Sequence, residues 1–101
     1  MLHPDECTGL ADIRQAIDTL DHELVGLLGK RMGYVLAASR FKPDEASIPA
    51  PDRVAAMLVE RRLWARENDL DSDFVESLFE QIIPWFIARQ VEYWREQRGQ
   101  R

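Results

Sequence analysis

A chain of 101 residues has room for a single domain, 1–101. With 46% apolar and 31% charged side chains, it is too apolar to be disordered and too charged to lie in a bilayer. Its formal net charge of −5 excludes a partner held chiefly through phosphates, so nucleic acid is not expected. Cys7 is the single cysteine, which excludes an internal disulfide and a cysteine-built metal centre. The first eight residues lack a secretory pattern and no stretch approaches the roughly 20 apolar residues of a membrane span, so the expected address is the cytoplasm.

Leu10, Ile13, Ile17, Leu20, Leu24 and Leu27 recur at alternating spacings of three and four, the mark of a helix packed along one seam. This predicts a first helix from about Leu10 to Arg40, with Thr8 as its candidate N-cap. Gly26, Gly29 and Gly33 each weaken it by roughly 1 kcal/mol relative to alanine, so close packing compensates or the helix bends. The segment from Phe41 to Pro51, with Pro43, Pro49 and Pro51, reads as a mobile loop, and Pro51 suits the first turn of a second helix ending near Asn68. Val54, Met57, Leu58, Leu63 and Trp64 supply the apolar surface of that helix.

Asp69 to Asp73 reads as a turn, with Asp71 or Ser72 capping a third helix. That helix continues through Phe74, Leu78, Ile82, Trp85 and Tyr93 until Gly99 stops it. Pro84 deletes the hydrogen bond to the Glu80 carbonyl and predicts a kink. No strand pattern competes, so the expected class is all-α with three helices.

A helix of about 30 residues is roughly 45 Å long, whereas a compact globule of this size has a radius of gyration of about 13 Å. Its apolar seam therefore calls for a second copy of the chain, with the long helices antiparallel across a twofold axis. The alternative is a break at Gly26, Gly29 or Gly33 that folds the helix back into a monomeric bundle.

Beyond Leu27 the alternation lands on Arg31, where a guanidinium is costly unless an anion or acceptors meet it, and Arg14 borders the same stripe beside Ile13. Each alone also reads as a snorkelling surface arginine. Their separation along one helix is about 25 Å, so a small molecule touches both only if Arg14 of one subunit meets Arg31 of another. Lys42 lies in the loop. Arg53, in the first turn of the second helix, is a cation near the positive end of the dipole, which hints at an anionic ligand. Gln90 falls near the apolar face of the third helix, either as an edge-of-core amide or as a functional one. Arg95, Arg98 and Arg101 have a sufficient reason in the dipole of the helix they end. His3 and His22 form no catalytic constellation.

The segments CTGLADIRQAID, GKRMGYVLAASRFK, IPAPDRVAAML and FVESLFEQIIPWFIARQVEYWR together resemble the isochorismate-pyruvate lyases of salicylate and siderophore biosynthesis, relatives of the all-helical chorismate mutases. The resemblance covers essentially the whole chain. It implies an intertwined homodimer of three helices per chain and two equivalent sites. Each site would be lined by Arg31, Lys42, Arg53 and Gln90 of one chain and Arg14 of the other, with the Lys42 loop ordering over bound ligand. It also implies a small dianionic substrate, isochorismate, and a pericyclic elimination without metal or cofactor, in which Lys42 and Arg31 stabilise developing charge. The helical mutases place a glutamate directly after the arginine corresponding to Arg53, whereas this chain has Val54, which favours lyase over mutase. Pro84 departs from the family's third helix and bears on the placement of Gln90. The other readings are a chorismate mutase and a catalytically silent metabolite-binding dimer.

Overall fold

A computed structural model describes residues 1–99, and among them the regular elements are all helical. Three α-helices, α1 (Leu10–Ala38), α2 (Pro51–Glu67) and α3 (Ser72–Gln97), are joined by short segments that carry 3₁₀ turns at Ser39–Phe41 and Glu45–Ser47. A further 3₁₀ turn, Pro4–Glu6, precedes α1. The chain divides into two units, Met1–Gly33 and the part from Tyr34 onward.

In the first unit, α1 starts where the spacing predicts, but its cap differs. The first intrahelical bond runs from Ile13 N–H to Gly9 O, so Gly9 takes the capping position instead of Thr8. Thr8 donates its N–H and its hydroxyl to Asp12 Oδ2, both at 3.0 Å, and the carboxylate sits at the positive end of the helix. These bonds hold the Asp12 carboxyl below the usual carboxylate range. The helix continues through Gly26, Gly29 and Gly33, and a Cβ at any of the three would meet nothing within 4 Å. Close packing against those glycines is therefore absent within the described residues.

In the second unit the core lies between α2 and α3, with the two 3₁₀ turns also packed on α3. Ala50, left-handed at φ 44°, turns the chain into α2, and Pro51 takes the first helical position as expected. α2 ends in a Schellman arrangement: Leu70 N–H donates to Ala65 O at 2.8 Å and Asp69 N–H to Arg66 O at 3.3 Å, with Asp69 at φ 56°. Asp71 then caps α3 by accepting from Phe74 N–H at 2.9 Å. Arg62 ties the two helices, donating to Asp73 at 2.8 Å and to Glu76 at 2.6 Å.

The buried face of α3 is Val75, Ile83, Phe86, Gln90 and Trp94, set against Met57, Ala65 and Ile48. This is about one residue out of phase with the expected line. Phe74 and Trp85 are more than half exposed, and Leu63 and Trp64 of α2 are also exposed. α3 carries apolar side chains on more than one side, so periodicity alone does not pick the side that α2 covers. α3 is continuous as a helical element through Pro84, which is exposed. Glu80, whose carbonyl loses its helical donor, is exposed as well, so water can replace that bond.

Candidate functional site

The five predicted residues are divided between the two units. Arg14, exposed, and Arg31, half-buried, both belong to α1 in the first unit. The hollow nearest Arg14 is an open shelf along α1, bounded by Ala11, Gln15, Asp18 and His22 of that helix.

Lys42, Arg53 and Gln90 belong to the second unit. Gln90 is only 5% exposed, one turn after Phe86 and one before Trp94 on the core face of α3. An amide so placed needs hydrogen-bond partners. Helical spacing explains its burial, and Pro84 does not displace it.

Lys42 follows the Ser39–Phe41 turn in extended conformation. The connection expected as a loop carries two 3₁₀ turns and contacts α3. Trp94 Nε1 and Arg98 Nη2 each donate to Lys42 O at 3.1 Å, so the Lys42 main chain lies one turn beyond Gln90 on α3. The Lys42 ammonium donates to Ser47 O at 3.3 Å. Ser39, 1% exposed, donates its hydroxyl to Leu36 O at 2.6 Å, and its small side chain lets the turn sit against α3. An ion pair between Arg95 and Glu45 fastens the next turn and pushes the arginine further up. Arg95 and Arg98 thus do more than complement a helix dipole; Arg101 lies outside the described residues.

Arg53 stands at the third helical position of α2, exposed, with Glu60 two turns on at 3.8 Å. No contact brings it to Lys42 or Gln90 among the described residues. Sequence reasoning missed Arg61, whose guanidinium lies over Trp64 at 4.6 Å and Phe79 at 5.3 Å. Burial lowers its pKa, and the nearby charge of Arg53 adds to this against the pull of Glu60. An arginine three residues before a tryptophan on a helix was the available signal. Among the described residues, no group of three or more His, Cys, Asp or Glu could hold a metal.

The second unit thus carries a half-buried lysine, an exposed arginine and one buried amide, while Arg14 and Arg31 stand on the first. The chain matches the family of chorismate mutase type II over residues 13–91. It is 65% identical to the isochorismate pyruvate lyase of Pseudomonas aeruginosa over 99 residues, which is 98% of each protein. It is also 36% identical to the T-protein of Haemophilus influenzae over 85 residues, covering 83% of this chain and 22% of that protein.

Proposed function

Because the chain belongs to the chorismate mutase type II family, we propose that it is an isochorismate-pyruvate lyase, converting isochorismate into salicylate and pyruvate. The observation that carries this is the 65% identity, spread over 98% of both chains, to a protein of that name. Val54 supports lyase over mutase, since a half-buried apolar side chain after Arg53 offers no acceptor for a substrate hydroxyl. The family match spans both units, which supports treating 1–101 as one functional domain.

In this reading Arg14, Arg31 and Arg53 bind the two carboxylates of isochorismate by charge-assisted hydrogen bonds, and Gln90 supplies a polar anchor. Held over the ring, the enolpyruvyl methylene takes a ring hydrogen as the carbon–oxygen bond breaks. The ring becomes aromatic and the side chain leaves as pyruvate. Lys42, assisted by Arg31, stabilises the charge that develops on the ether oxygen. The step uses no metal or cofactor.

The active form is a homodimer in which Arg14 of the partner subunit completes each site. The α1 seam supports this: Leu10, Ile17, Leu20, Leu24 and Leu27 are all at least half exposed, and the helix buries no residue within one chain. No helix among the described residues is long and apolar enough to cross a membrane, and the enzyme would act in the cytoplasm on a soluble metabolite.

Product analysis with both substrates tests the proposal. Isochorismate should yield salicylate and pyruvate, and chorismate little or no prephenate. Prephenate as the main product would make the chain a mutase, and no product from either substrate would leave only a metabolite-binding dimer.

A further inference from the structure

Two arginines of α2 make ion pairs of opposite kinds. Arg62 is locked, donating to Asp73 at 2.8 Å and to Glu76 at 2.6 Å in short charge-assisted hydrogen bonds. Arg53 is not. Its Nη1 lies 3.8 Å from Glu60 Oε1, beyond hydrogen-bond reach, and both side chains are more than half exposed. Such a pair attracts by charge alone and is weakened by the surrounding water.

The same Glu60 oxygen lies 4.0 Å from Arg61 Nη1. Arg61 is the fixed member of the three: its guanidinium lies over the Trp64 and Phe79 rings, and Nη1 donates to Met57 O at 3.5 Å. One carboxylate therefore faces two guanidinium groups, and when Arg53 leaves it the carboxylate keeps a cation beside it. Together the three side chains carry one positive charge in excess. Arg53 also stands in the first turn of α2, at the positive end of the helix, where a further anion is favoured.

We infer that Glu60 is a positioning residue that acts through Arg53, holding its guanidinium along α2 as a resident counterion until a substrate carboxylate displaces it. This rests on the proposed role of Arg53 in binding isochorismate. The exchange costs little at Glu60, since Arg61 stays beside it, and it sets a threshold for ligands. A dianion that meets other cations of the site as well gains more than the exchange costs. A small monoanion at Arg53 alone replaces one weak pair by another. Glu60 thus opposes substrate and transition state alike, so it acts on binding and leaves the chemical step unchanged.

Two measurements on the full chain test it. The first needs no activity. The Nε–Hε resonance of Arg53, identified by its loss in Arg53→Ala, is followed by NMR without ligand. Glu60→Gln should shift it. Glu67→Gln, at the exposed far end of α2, should not, because that helix places it about 21 Å away, beyond the screening length of about 8 Å. An Arg53 resonance that is the same with and without the Glu60 carboxylate overturns the pair.

The second is kinetic. Glu60→Gln should lower KM for isochorismate by about twofold to fivefold with kcat within about twofold, the range set by an exposed ion pair that no longer competes. Inhibition by salicylate should strengthen by a similar factor. In an Arg53→Ala background the same substitution should change KM by less than about 1.5-fold. A KM that stays or rises in Glu60→Gln, or that falls equally with and without Arg53, overturns the role. If wild type forms no salicylate, the lyase reading fails, and the resonance alone still decides whether Glu60 holds Arg53.

Discussion

The leucines of α1 and the apolar residues of the α2–α3 unit are similar in kind and spacing but meet different fates. Leu10 and Leu27 keep 66% and 59% of their surface, whereas Ile83 and Phe86 keep 4% and 7%. The α2–α3 unit closes its own core, and even its buried polar residues, Ser39 and Gln90, lie on packed faces. α1 presents a regular seam that its own chain does not bury. One region buries its apolar residues within the chain, and the other leaves its seam exposed there. The difference also separates the cations: Arg14 and Arg31 ride on α1, whereas Lys42 belongs to the unit of α2 and α3.

The largest expected effect lies in the α2–α3 unit. Lys42→Ala should lower kcat by about 10² to 10³ with a smaller change in KM, because in the proposed mechanism its charge acts chiefly in the transition state. Steady-state salicylate formation measures this, and an unchanged kcat would remove Lys42 from the mechanism.

The next test asks whether α1 serves a neighbour. Arg14→Ala and Arg31→Ala homodimers should each be nearly inactive, while equal amounts unfolded and refolded together should regain about one quarter of wild-type activity. About half the re-paired dimers are mixed, and each mixed dimer has one intact site and one lacking both arginines. A mixture no better than its parents, with mixed dimers verified, rejects a site shared between subunits.

Stability sharpens the comparison further. Ile83→Ala should cost about 2–4 kcal/mol in denaturant unfolding, as for any buried aliphatic residue. Leu24→Ala should cost more than about 1 kcal/mol and leave a Tm that varies with protein concentration, although Leu24 is 52% exposed in the single chain. If Leu24→Ala costs less than about 0.5 kcal/mol, the seam faces water and the contrast between the regions disappears.

The smallest effect is at the start of α1. Asp12 has its folded-state pKa lowered by the two Thr8 bonds, so its contribution is present above the ordinary carboxylate value of 3.8 and is lost as pH falls through the lowered one. Asp12→Asn should remove a small part of the acid sensitivity of helicity below that value, measured by circular dichroism. An identical acid limb in both proteins would show that the Thr8 bonds contribute nothing to stability.

The three helices and most of their ends were legible in the sequence because they depend on neighbours a few residues away. The three-four spacing of the leucines marks α1, Pro51 starts α2, Asp71 caps α3, and Gly99, at φ +70°, ends it. Arg31 stood out in the same local way, as a charge on an apolar stripe, whereas Arg61, over Trp64 and Phe79, did not. Two things were decided only by tertiary structure. One is the face of α3 that becomes core: Val75, Ile83, Phe86 and Trp94 are chosen over Phe74, Leu78 and Trp85 by where α2 lands, not by any feature of α3 alone. The other is the joining of Lys42 to Trp94 and Arg98, a side-chain to main-chain contact across more than fifty residues that leaves no local signature, because a backbone carbonyl belongs to every residue type.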